Sequence, residues 1–150
     1  MNVEILSICD AATTSPGGKL NVLGAFDALH MSRFPSAHPQ CTIAMRIRFN
    51  RMEEGHHKVA LSFVDADGKR IMPDVQGDLN VRIAGDEPSI VTNLVINIHQ
   101  LKIPQPGYYS IDLAIDSRHE SSLPIVVREL PASNNQSQGE DQPGDNPSST

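Results

Sequence analysis

Six histidines in 150 residues are the most chemically suggestive feature of this chain. Imidazole is the commonest zinc ligand and the usual proton carrier near neutral pH. His56, His57 and His119, with Glu53 or Glu54, are the set that a metal-dependent enzyme would use. The chain holds no H-x-H pair, no HExxH helix and no CxxC knuckle, so the spacing is that of solvated loop histidines, and no metal site is expected. Asp65-x-Asp67-Gly68 resembles the start of a calcium loop. It lacks the later acidic ligands, and a tight turn with Gly68 at positive φ is the better reading.

Nucleophiles fare no better. No G-x-S-x-G elbow is present. Cys41 could pair with His30 or His38, but it sits in an apolar alternation, where a thiol behaves as a small hydrophobe. Carboxylates come in pairs at Glu53-Glu54, Asp65/Asp67, Asp86-Glu87 and Asp112/Asp116, nearly all in turns or on outward faces. Acid–base catalysis needs perturbed groups, which solvated turns do not provide. No glycine-rich loop leads into a helix to hold a phosphate. The expectation is a protein that is not an enzyme and needs no cofactor.

The elements that must position these residues are strands. Cys41, Ile43, Met45, Ile47 and Phe49 alternate with Thr42, Ala44, Arg46 and Arg48, the two-residue period of a half-buried strand. Tyr109, Ile111, Leu113, Ile115 repeat the rhythm, as do Leu123, Ile125, Val127. Further strands are predicted at about Val3 to Cys9, Leu20 to Leu29, Val59 to Phe63, Leu79 to Ile83 and Leu94 to Ile98. Gly24 inside the second signals a bulge or a close approach. Beyond Gln100 the apolar parity reverses at Leu101 and Ile103, which predicts a kink near His99 to Gln100. No apolar stripe has helical spacing. About eight strands separated by Gly/Pro turns imply an all-β fold, a two-sheet antiparallel sandwich over residues 1–130. From Pro131 to Thr150 the only aliphatic side chain besides proline is one alanine. Such a segment cannot offset the ~1–2 kcal/mol per residue that ordering costs, so residues 131–150 are expected to be a disordered acidic, polar tail.

Alternating strand directions would place Thr13–Gly18, Glu53–His57, Gly85–Pro88 and Ser117–Ser121 at one end, and His30–Pro39, Asp65–Lys69 and Pro104–Gly107 at the other. Cys9 and Cys41 would then be separated by on the order of 20 Å, too far for a disulfide, leaving two buried free thiols. Arg46, Arg48, Lys58 and Arg82 could form a basic stripe; pairing with outward acids such as Glu4 or Asp112 is preferred. The best binding candidate is the long loop holding His30, Arg33, Phe34 and His38. Folding of Phe34 back over the core end is the favoured alternative for that side chain.

The bulk numbers agree. At 39% hydrophobic content the chain is one domain burying roughly two-thirds of its unfolded surface. Net charge is -6, and Glu140, Asp141 and Asp145 account for three, leaving -3 on the rest. An acidic domain does not suit nucleic acid. No apolar run reaches the ~20 residues that span a bilayer, and no signal peptide opens the chain, so a cytoplasmic protein is expected, off the membrane.

Cys9-Asp10-Ala11, Gly18-Lys19-Leu20-Asn21-Val22-Leu23-Gly24-Ala25-Phe26-Asp27, His38-Pro39, Asp65-Ala66-Asp67-Gly68-Lys69 and Pro106-Gly107-Tyr108-Tyr109-Ser110-Ile111-Asp112-Leu113 together resemble a family of small bacterial proteins of unknown function. The likeness covers most of residues 1–130 and implies an immunoglobulin-like fold, with no catalytic or binding residues to carry over. The leading expectation is a non-enzymatic module that binds a protein partner through a loop end or an unpaired sheet edge. A small-ligand or carbohydrate binder is the alternative, with a metal-dependent enzyme behind it.

Overall fold

Cys41, Ile43, Met45, Ile47 and Phe49 are all at 0% exposure, and they line one face of a single strand, the axis of the fold. The computed structural model describes residues 1–131. In chain order the strands are β1 (Asn2–Ser15), β2 (Lys19–Phe26), β3 (Ala28–Met31), β4 (Ser36–Asn50), β5 (Gly55–Asp65), β6 (Val75–Val81), β7 (Ser89–Ile103), β8 (Gly107–Ile115) and β9 (Arg118–Glu129). They form two sheets, in the orders β2-β1-β4-β7 and β3-β9-β8-β5-β6. The only helical piece among the described residues is a single 3-10 turn, Arg51–Glu53. The alternating apolar sets meet between the sheets: Ile43, Met45 and Ile47 belong to one cluster with Leu61, Phe63, Ile111 and Leu113. Each such side chain contributes roughly 1.5–3 kcal/mol on burial, which makes the two-residue period the main source of stability. Tyr109, at the start of β8, reaches back to donate its hydroxyl to the Gln105 carbonyl at 2.6 Å.

A third layer covers part of the first sheet. Thr42 and Ala44 face away from the core, yet both are fully buried. β1 leaves β4 where Cys9 lies opposite Thr42, but the Gly18 carbonyl at the β1–β2 tip accepts from Asn93 Nδ2 at 2.8 Å. Asn93 sits opposite Arg46, well back toward the Asn50 end of β4. The hairpin therefore folds over the outer face of β4 and β7. Its hinge is at Asp10 and Gly24: Gly24 has φ +68°, and a Cβ there would lie 2.3 Å from Asp10 Oδ2. The close approach expected at Gly24 is this hinge. Beneath the hairpin, the Cys9 thiol donates to the Thr42 carbonyl at 3.4 Å, and Thr42 Oγ1 donates to Asn97 Oδ1 at 2.8 Å.

Two expectations need correction. The stretch Leu20–Leu29 is two strands, because the chain bends at Asp27 and crosses to the second sheet, where β3 runs parallel to β9. That extra strand raises the number to nine, breaks the antiparallel rule at one edge and turns β1 around relative to β4. Cys9 and Cys41 are consequently not at opposite ends. They lie in adjacent strands, one register apart, and both are free and buried. Opposite facing separates the thiols: Cys9 points under the hairpin, while Cys41 points into the core.

The kink near His99 to Gln100 is present. Gln100 takes φ 55°, and Leu101 and Ile103 return to the core beyond it. Asp65–Lys69 is a turn, with Gly68 at φ 79° and the Asp65 carboxylate accepting the Asp67 and Lys69 amides. The predicted disordered tail lies, apart from Pro131, outside the described residues. Among the described residues no helix is long and apolar enough to cross a membrane.

The hinge can be tested by substitution. Gly24→Ala must place a side chain at positive φ against Asp10 and should lose about 1 kcal/mol or more in urea denaturation. Gly77→Ala, on β6 with nothing within 4 Å of the added carbon, should stay within about 0.5 kcal/mol of wild type.

Candidate functional site

The histidines do not assemble. His57, on β5, has both ring nitrogens engaged: Nδ1 lies 2.6 Å from Asp116 Oδ2, and Nε2 lies 2.6 Å from the Glu53 carbonyl. Its ring rests on Phe49 with centroids 5.0 Å apart. Asp116 also accepts the Lys58 amide at 2.9 Å, and Glu53 takes the Met1 amine and the Asn50 amide. Burial opposes a charge on His57, but the carbonyl and the carboxylate, both acceptors, outweigh it and raise its pKa. The Lys58 amide and His57 hold the Asp116 carboxyl below its usual range. These groups staple the β4–β5 and β8–β9 connections together. Arg51 adds the β6–β7 loop to that end by donating to the Gly85 and Glu87 carbonyls.

His56 is exposed, with Nε2 3.6 Å from Asp78 on β6. His119 lies on β9, with Nε2 2.7 Å from Ser122 Oγ, and that hydroxyl donates to Asp112 Oδ1 at 2.7 Å. The order is His–Ser–Asp, with the hydroxyl in the middle. A nucleophilic serine needs the imidazole between itself and the acid, so that the ring can take its proton. Here the proton is directed at Asp112, which also accepts from Ser110. Among the described residues no three His, Cys, Asp or Glu side chains are arranged to hold a metal ion.

The loop candidates are dispersed as well. His30 is exposed on β3, opposite Arg128 of β9. Arg33 is exposed in the connection, whereas Phe34 is half-buried and packed against the core cluster. His38 belongs to β4, in the other sheet, edge-on to Phe26 with ring centroids 6.1 Å apart. Its Nε2 is buried without a hydrogen-bond partner among the described residues. Arg46 and Arg48 converge on one acid: Glu4 accepts from both, at 2.9 and 2.5 Å, which holds its carboxyl below the usual range. The basic stripe is an ion-pair fork.

Sequence reasoning raised an unpaired sheet edge without saying which strand would form it. β7 closes the first sheet on one side, and among the described residues no strand pairs with its far side. From Ser89 to Leu101 it carries no Asp, Glu, Lys or Arg, and every side chain from Ser89 to Ile96 is half-buried. Exposed edges are normally blunted by charge, proline or brevity. β3 has only four residues, β6 carries Asp78, and β2 is bent at Gly24. Beside β7, an apolar trough of about 280 Å³ opens toward β6, lined by Val59, Val75, Leu79, Leu94 and Ile96. The absence of charge was visible in the residue string; that this strand is an edge is a property of topology. A second cavity of about 440 Å³ lies at the opposite end from His57. Lys69, Arg70 and Lys102 line it together with the Asp65 carboxylate, over Ile71 and Ile103.

Residues 4–128 match the model of a family of unknown function (DUF6941). Comparison with curated proteins gave no match.

The His57 staple has a pH signature. A raised folded pKa stabilises fully below the unfolded value of about 6.5 and is lost as pH rises through the folded value. Urea midpoints of wild type should therefore fall toward those of His57→Gln as pH rises above about 6.5 and through the raised folded value. A difference that stays constant across that window contradicts the assignment.

Proposed function

The chain belongs to the family of unknown function DUF6941, and we propose that it is a non-enzymatic interaction module of immunoglobulin-like fold, whose binding surface is the β7 edge. The single observation carrying this reading is the uncharged run of β7 beside an apolar trough. An extended segment of a protein partner would add a strand there. Main-chain hydrogen bonds would give affinity, and alternate side chains would enter the trough. The immunoglobulin-like assignment is supported by the strand orders β2-β1-β4-β7 and β3-β9-β8-β5-β6, by the parallel strand at the end of the second sheet, and by the Tyr109–Gln105 bond.

The edge is preferred to the His30–His38 loop because Phe34, its largest apolar group, is already packed on the core. A small-ligand reading has one observation in its favour, the end cavity. Lys69 and Lys102 form no ion pair among the described residues there, while Arg70 is held by Asp74 at 2.7 Å. Its lining has no aromatic ring to face a sugar, so the ligand class would be a small anion rather than a carbohydrate.

Affinity capture from native cells, run with wild type and with Val91→Glu in parallel, tests the edge. Val91 lies opposite Arg48, so the new carboxylate has a cation across the strand while it charges the edge. A partner held by wild type and lost by Val91→Glu supports the proposal. A partner held equally by both, and lost on Arg33→Ala instead, moves the site to the loop.

A further inference from the structure

We infer that the β7 edge is self-complementary, and that its occupant is a second copy of this chain related by a two-fold axis through Val95. This rests on the reading of β7 as the binding surface and names the partner. The residues Asn93-Leu94-Val95-Ile96-Asn97 read nearly the same in both directions: amide, aliphatic, valine, aliphatic, amide. Antiparallel pairing about Val95 sets Leu94 against Ile96 of the second copy, and Asn93 against Asn97 of the second copy. Each match occurs twice, as a closed isologous contact requires.

The amides are already oriented for this. Asn97 Oδ1 accepts from Thr42, which leaves its Nδ2 donors without a partner among the described residues. Asn93 uses its Nδ2 on the Gly18 carbonyl and accepts from Arg46 at 3.3 Å, so its Oδ1 keeps a lone pair. The free donor of one copy therefore faces the free acceptor of the other, at the cross-strand spacing of about 4.5–5.5 Å between Cβ atoms. The folded-back hairpin and Arg46 hold the Asn93 amide in place before association, and Thr42 holds that of Asn97.

Charge points the same way. Each chain carries a net charge of -6, which opposes self-association, yet none of it lies on β7 between Ser89 and Leu101. Two edges meeting there place no like charges opposite one another. Pairing would extend the first sheet to eight strands, four from each copy. It would also bring the aliphatic face of the second β7 over the trough lined by Leu94 and Ile96. A heterologous strand could fill that trough too, but the matched amide pair and the near-palindrome are demands that only an identical strand meets twice.

The test uses the full chain. Sedimentation equilibrium over a wide concentration range should show a monomer–dimer equilibrium. Asn97→Asp keeps the acceptor for Thr42 but sets a carboxylate against the Asn93 carbonyl, and should weaken the dimer by about tenfold or more. Its far-ultraviolet circular dichroism and melting at low concentration should match wild type, which separates loss of association from loss of fold. Val95→Cys should cross-link rapidly under mild oxidation, because residue 95 meets itself on the axis. Ser89→Cys, which would face residue 101, should not. A wild type that stays monomeric at every concentration, or a dimer indifferent to Asn97→Asp, overturns the inference. A monomer that still captures a partner lost on Val91→Glu would overturn only the second copy and leave the edge as the binding surface.

Discussion

The burial of β4 on both faces is the constraint from which the rest of the molecule follows. One face is filled by Cys41, Ile43, Met45, Ile47 and Phe49, and the other is closed at Thr42 and Ala44 by the returning hairpin. A strand covered on both sides admits only small or satisfied groups on its second face. Ala44 has no polar atom beyond the backbone, and Thr42 passes its hydroxyl to Asn97. Where the cover ends, the outer face turns charged, and Arg46 and Arg48 take Glu4 between them. The same hairpin tip then orients Asn93. Core, cover and edge are one connected set.

Polar groups in this protein are mostly occupied with joining connections. His57, the histidine best placed to titrate, bridges a carbonyl and a carboxylate from two different loops. Asp112 collects two serine hydroxyls. Asp65 closes its own turn. These three groups act as structural fasteners: the bonds of His57, Asp112 and Asp65 hold neighbouring strands and turns together. The β7 edge, by contrast, carries no charged side chain from Ser89 to Leu101 and has no strand beside it among the described residues.

The two-residue period made the sheets legible, and the parity slip at Leu101 located the kink, because both are local consequences of which side chains face inward. Gly24 was legible for the same reason: a glycine amid strand formers marks backbone that other residues adopt poorly. The bend and sheet switch at Asp27 were not. They are made by one aspartate between two apolar residues, without the glycine or proline that usually announces a turn. Everything that depends on strand direction, including the relation of Cys9 to Cys41, inherited that silence. The candidate loop was legible as a loop, but Phe34's inward packing and His38's membership of β4 depend on contacts far along the chain.

β3 pairs with the last strand, so Ala28–Met31 finds its partner only at Val126–Glu129. During synthesis on the ribosome the second sheet cannot close along that side until the end of β9 has emerged. The local β1–β2 hairpin, by contrast, can form within the first moments, but β4 and β7 must appear before it has a surface to lie on. Assembly is therefore late and concerted, with high contact order. Until that moment the nascent chain exposes the apolar inner faces of strands already made, surface of the kind that drives aggregation.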